Sequence, residues 1–207
     1  MHDRRSVLRA VAGLGTIGVA GCSSLGGSEN PPATTVTQTE GDGDESTATD
    51  ALTITSPAFE DGATIPVEHT RDGEDVSPPL RISGVPDGID SLALVADDPD
   101  APDGPFVHWL LWDLSQSTTE IPEGIRQVRR VESLGGAKQG TNDFGELGYL
   151  GPAPPEGDGP HTYRFTLYAV ESELNAQAGT GRTTLDRQLE GKVLTSARLT
   201  GEYERQS

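Results

Sequence analysis

Ala96-Asp97-Asp98-Pro99-Asp100-Ala101-Pro102-Asp103-Gly104-Pro105-Phe106-Val107-His108-Trp109-Leu110-Leu111-Trp112-Asp113-Leu114 is the stretch whose reading decides the fold. An apolar strand, Ser91 to Ala96, runs out here into carboxylates, and a second apolar strand begins at Val107. Between them Pro99, Pro102 and Pro105 fix φ and restrict the residues before them, so the connection reads as a stiff polar turn. Leu92, Leu94 and Ala96 fall on one side with Asp98, and Ala93 and Val95 on the other. Both sides are apolar, which places this strand inside a sheet. Along Val107–Leu114 the same alternation puts His108 with Leu110, Trp112 and Leu114, and Trp109 opposite. Two strands meeting one rigid turn can hold an acid and an imidazole in fixed relation.

Working outward, strands dominate. Leu52–Ser56 alternates at period two, and Ile65–Thr70 reads as a short edge strand because of Pro66. His161–Val170 places His161, Tyr163, Phe165 and Leu167 on one face and Thr162, Arg164 and Thr166 on the other. Val193–Tyr203 is a last strand. Thr183-Thr184-Leu185-Asp186 has the form of a capping box opening a short helix that stops before Gly191. Residues 115–160 are poor in regular structure and dense in glycine and proline, which marks a functional loop region. The class is mostly β, with one or two short helices.

The N-terminal part has another character. Arg4-Arg5 followed by Val7-Leu8-Arg9 has the form of a twin-arginine export signal. Ala10–Gly21 is apolar but shorter than the ~20 residues a membrane-spanning helix needs. Val19-Ala20-Gly21-Cys22 has the form of a lipobox, so residues 1–21 are expected to be a lipoprotein signal peptide and Cys22 the lipidated residue. Residues 22–50 are Ser, Thr, Gly, Asp and Glu with almost no large apolar side chain. Such a segment cannot offset its ordering entropy and reads as a disordered acidic tether. Residues 51–207, about 155 positions, remain for one folded domain. The expected location is the cell surface, exported and membrane-anchored.

The chain of 207 residues carries a formal net charge of −18, from 15 basic and 33 acidic side chains. Without residues 1–21, which hold Arg4, Arg5, Arg9 and Asp3, 12 basic side chains face 32 acidic ones. A surface this acidic disfavours nucleic acid by repulsion and suits high salt, where screening shrinks self-repulsion. Cys22 is the one cysteine, so no intramolecular disulfide is possible.

Asp98, His108, His161 and Tyr163 are the candidate site residues. An acid, two imidazoles and a phenol at strand mouths can neutralise and hydrogen-bond a small anion. Backbone N–H groups in the segment from Gly151 to Ala153 could help. Each side chain also has a plain structural role available, since a strand-end histidine often only bonds to backbone and Asp98 can cap its own turn. Asp98, His108 and His161 could in principle hold a metal, but no His-x-His or His-Glu-x-x-His spacing supports one, so no metal and no cofactor are expected. No Gly-x-Ser-x-Gly elbow is present, and no enzymatic activity is expected.

Asp98-Pro99-Asp100-Ala101-Pro102, His108-Trp109, Gly151-Pro152-Ala153-Pro154-Pro155 and His161-Thr162-Tyr163 together resemble the phosphatidylethanolamine-binding protein family. Asn142-Asp143-Phe144-Gly145 is most similar to its prokaryotic, Raf kinase inhibitor-like branch. The resemblance covers about Leu52 to Glu204. It implies a β-sandwich with a large central antiparallel sheet and a smaller sheet beside it, and a pocket that accepts phosphate groups. By motif position it assigns Asp98, His108, His161 and Tyr163 to that pocket and Gly151, Pro152, Ala153 and Pro154 to its wall. Ala153 stands where animal members commonly carry glycine, Arg71 where prokaryotic relatives often carry cysteine, and the long C-terminal helix of animal members is absent. The function these features imply is a lipid-anchored binding protein for a phosphate-bearing or other small anion, including a phospholipid head group. An interaction module that inhibits or scaffolds an exported protein partner, such as a protease, and a weak phosphoester hydrolase are the alternatives.

Overall fold

The computed structural model describes residues 51–205, so the segments expected to be signal peptide and tether, with Cys22, lie outside the described residues. Strands β1 (Thr53–Thr55), β3 (Leu80–Ser83) and β6 (Glu120–Ile121) form a small antiparallel sheet in the order β1-β3-β6. The large sheet contains β2 (Ala63–Thr64), β4 (Ser91–Asp98), β5 (Phe106–Ser115), β7 (Arg130–Val131), β8 (Ala137–Gln139), β9 (His161–Val170) and β10 (Val193–Tyr203). Its order is β2-β10-β9-β4-β5-β8-β7, which puts β4 in the middle. All its pairings are antiparallel except the outermost, where β2 runs parallel to β10, so the sheet is mixed.

β4 is apolar on both faces because both faces are covered. Leu92, Leu94 and Ala96 join Ile54, Leu80, Ile82 and Ile121 of the small sheet in one core. Ala93 and Val95 join Leu174, Leu185 and Leu189 in a second core on the opposite face. The last two belong to α1 (Arg182–Leu189), the one α-helix among the described residues. Asp97 faces this second side. It takes two 2.9 Å hydrogen bonds from Arg164, while Arg182 of α1 lies 3.4 Å away, so a buried acid ties the helix to the sheet. Asp98, one residue on, faces the first side, as period two requires.

Four local expectations are revised. Ile65–Thr70 is not an edge strand: β2 ends at Thr64, and Val67–His69 forms a 3₁₀ turn closed by Thr70 N–H on Val67 C=O. The helix has no capping box. It starts one residue before Thr183 with Gly181 as N-cap and no side-chain cap, and Arg182 donates to Asp186 at 2.6 Å instead. Residues 115–160 contribute three short strands, two of which extend the large sheet beyond β5. Gln139 organises this segment. Fully buried, its carbonyl accepts the Trp109 indole N–H at 2.8 Å, and its amide donates to Arg126 and Val128 carbonyls at 2.7 and 2.8 Å.

The fourth revision concerns β5, where two bulges break the alternation. Leu92 pairs with Leu114 and Leu94 with Leu111, leaving Trp112 and Asp113 opposite Ala93. Asp113 is left-handed at φ 59°, and Leu114 rejoins the core of Trp109 and Leu111 instead of the face of Leu110 and Trp112. Ala96 pairs with Trp109 and Asp97 with Val107, so His108 is the extra residue of the second bulge. A bulge sets two consecutive side chains toward one side. Val107 stays with Leu110 and Trp112, and His108 turns toward Tyr163, away from the face that strict alternation assigns it.

Candidate functional site

The His108 bulge assembles the site. Asp98 ends β4 and His161 opens β9, two adjacent strands. Without the extra residue, His108 would lie beneath the sheet among Leu110 and Trp112. With it, the His108 and Tyr163 rings meet edge to face, with centroids 5.2 Å apart. The stiff turn is stitched down by its acids. Asp98 Oδ1 accepts the Asp100 N–H at 2.8 Å, and Asp100 Oδ2 accepts the Thr162 N–H at 2.9 Å.

Asp98, His108, His161 and Tyr163, each at most 4% exposed, line one cavity of about 230 Å³. Ala153 and Pro154 line it as well, together with Pro155, Pro102, Asp103, Phe106 and Phe144. Gly151 and Pro152 do not. The Gly151 N–H is committed to Asp75 Oδ1 at 2.7 Å, and the Pro152 carbonyl accepts the Arg71 N–H at 3.0 Å. They hold the wall from behind. A Cβ on Gly151 would collide with the His69 carbonyl, which explains glycine there.

Sequence reasoning missed the aromatic wall. Asn142 Oδ1 accepts the N–H groups of Phe144 and Glu146, each at 3.1 Å. Asp143 Oδ2 accepts the Val107 N–H at 2.8 Å, and its own N–H returns to the Val107 carbonyl at 3.0 Å. This pins Phe144 across Phe106 (4.7 Å between centroids) and His108 (5.6 Å). Arg71 lies over the Phe144 ring at 5.0 Å, a cation–π contact. The signal available was a pair of Asx residues, Asn142 and Asp143, directly before an aromatic, Phe144, and a glycine.

The pKa values of the two imidazoles are pushed in opposite directions. His108 Nδ1 donates to the Leu150 carbonyl at 2.7 Å, which leaves Nε2 as the free acceptor of the neutral ring. Burial lowers its pKa, against the opposing pull of the Leu150 bond and the Asp98 charge. His161 Nδ1 donates to Asp98 Oδ2 at 2.8 Å. Burial would lower its pKa too, but the hydrogen bond and charge of Asp98, with Asp158 added, raise it overall. The Tyr163 hydroxyl is pushed up, first by burial and then by the Asp98 charge, so it stays protonated. Asp98 and the Ala153 amide lie close enough to act on its ionisation, yet no group meets hydrogen-bond geometry with this buried oxygen. Among the described residues no cluster of three or more His, Cys, Asp or Glu side chains is arranged to hold a metal.

A family model described as phosphatidylethanolamine-binding protein matches residues 55–204. The chain belongs to the phosphatidylethanolamine-binding protein family. Within it, a UPF0098 protein of Pyrococcus horikoshii is 44% identical over 150 residues, covering 72% of this chain and 75% of the relative. LppC of Mycobacterium tuberculosis, named as a candidate lipoprotein, is 38% identical over 202 residues, or 94% of each chain. Two solved structures share the family fold. A homologue from Chlamydia trachomatis, CT736, superposes with a TM-score of 0.67 at 36% identity, over 75% of this chain and 99% of that one. YbcL of Escherichia coli, described as a member of the mammalian family, gives 0.68 at 30% identity over the same shares.

Proposed function

We propose that this phosphatidylethanolamine-binding protein family member binds a small phosphate-bearing anion without transforming it, held at the cell surface by a lipid on Cys22. The observation that carries the reading is the buried Tyr163 hydroxyl. No group meets hydrogen-bond geometry with it, and its ring lines a cavity together with two imidazoles that each have one ring nitrogen committed. A buried donor without a partner costs about 1–3 kcal/mol, and a ligand oxygen relieves that cost. His161, whose pKa the hydrogen bond and charge of Asp98 raise, is the ring that favours the positive charge. The neutral His108 Nε2 accepts from a protonated phosphate oxygen, so a monohydrogen phosphate group satisfies acceptor and donors together. At about 230 Å³ the cavity is below the roughly 300–1,000 Å³ that drug-sized ligands occupy, which suits a head group or a phosphate monoester.

The anchor rests on the residues before the domain. The similarity to LppC spans 94% of this chain, so it extends ahead of residue 51. Among the described residues no helix is long and apolar enough to cross a membrane. The test has two arms. Calorimetric titration with inorganic phosphate, phosphoethanolamine and phosphatidylethanolamine vesicles should give heat that Asp98→Asn with His161→Ala removes, and vesicle-only binding would assign the head group as the source. Cys22→Ser should move the protein from membrane to soluble fractions. Absence of heat with every ligand removes the binding reading, and unchanged fractionation removes the anchor.

A further inference from the structure

We infer that Asp158 is a built-in competitor for the pocket's anion: its carboxylate stands beside Nε2 of His161, the ring nitrogen that Asp98 leaves free, and must give way when the anion takes that nitrogen. The inference rests on the anion-binding reading above. His161 has two ring nitrogens, and Nδ1 is held by Asp98 at 2.8 Å with both side chains about 5% exposed. Nε2 is therefore the one N–H the ring can offer a ligand. Asp158 Oδ2 stands 3.6 Å from it. That distance is longer than a hydrogen bond, and the Asp158 side chain is 50% exposed, so the contact is loose where the Asp98 contact is tight.

The backbone around Asp158 suits displacement. Gly157 and Gly159 flank it at φ 81° and 86°, and no atom lies within 4 Å of where either Cβ would stand. Neither glycine is packed in place, so the carboxylate can swing outward without breaking a core contact. Pro155 and Pro160, on either side, keep the movement local. A carboxylate and a phosphate oxygen ask the same thing of an imidazolium N–H, and both cannot have it. Like charges also repel across the short gap that remains, so an arriving anion drives Asp158 out. Asp158 thus sets the threshold concentration at which the pocket fills.

The test is calorimetric titration of the full chain with inorganic phosphate at about pH 6, below the ordinary histidine pKa of about 6.5, where the charged form of His161 is favoured. Asp158→Asn removes the competing charge and should bind phosphate ~3- to 10-fold tighter, the range set by a half-exposed ion pair. Asp158→Glu keeps the charge and should stay within about twofold of the wild type. In the free protein the NMR titration midpoint of His161 should fall in Asp158→Asn, because one of the acids raising it is gone. Equal or weaker phosphate binding by Asp158→Asn, with wild type binding normally, overturns the competitor role. No binding by either protein overturns instead the anion reading on which it rests.

Discussion

Tyr163→Phe separates a binding tyrosine from a packing tyrosine. In most cores this substitution removes a satisfied hydrogen bond and costs about 1 kcal/mol. Here the hydroxyl is buried without a hydrogen-bond partner, so the folded protein already carries its desolvation cost. Removing it should leave stability unchanged or raise it by up to ~1–3 kcal/mol. For a domain of this size each kcal/mol moves Tm by roughly 2–4 °C. The ring belongs to the core on the small-sheet side and meets His108 edge to face, and phenylalanine preserves both. Phosphate binding should respond the other way. A hydrogen bond to a charged group contributes ~1.5–3 kcal/mol, so affinity should fall ~10- to 150-fold. Urea denaturation and calorimetric titration on the same preparations read both quantities. A loss of stability with unchanged affinity would refute the reasoning, since it would mean that the hydroxyl serves the fold and not a ligand.

Three further outcomes follow from the geometry. Stability should peak near neutral pH. His161 is raised in the folded state, so its contribution is whole below about pH 6.5 and is lost as pH climbs through its folded pKa. His108 is lowered, so stability falls as pH drops below about 6.5 toward its folded pKa. Denaturation across pH should show both limbs, and His161→Gln should flatten the alkaline one. Asp143→Ala strands the Val107 N–H and frees the Phe144 loop, so it should cost about 1–3 kcal/mol in urea denaturation and weaken phosphate binding, with Asp143→Asn recovering part of each. Finally, with 33 acidic against 15 basic side chains, Tm should rise steadily as potassium chloride is added. A Tm independent of salt would remove the high-salt reading of the composition.

Much of the fold was legible because its central strands carry strong patterns. β4 and β9 run apolar or alternate, and their faces follow from period two, while β10 was read by extent alone. Period two put Asp98 on the side of Leu92, Leu94 and Ala96, while the role of Asp97 on the helix side went unread. Alternation failed where an extra residue interrupts it. His108 and the Trp112–Asp113 pair are bulged, and a bulge without glycine leaves no mark in the sequence. The bulge puts the His108 ring beside Tyr163, where strand parity had put it on the opposite face. Gly151 and Pro152 were read as ligand-facing from their composition. The structure shows that composition cannot tell which side of a wall a backbone N–H points to, since Asp75 takes it from behind. The region 115–160 looked irregular because its strands are two or three residues long, and much of its order comes from one buried amide, Gln139, which no periodicity announces.

The central claim is that His108 and His161, 53 positions apart, share one anion. The most direct measurement is the ring-nitrogen NMR spectrum of the four histidines during titration with inorganic phosphate. The Nε2 signals of His108 and His161 should move together and saturate at one concentration, while His69, buried and hydrogen-bonded to the Val76 carbonyl, stays still. Signals of the pair that stay fixed while calorimetry reports binding, or that saturate at different concentrations, would contradict it.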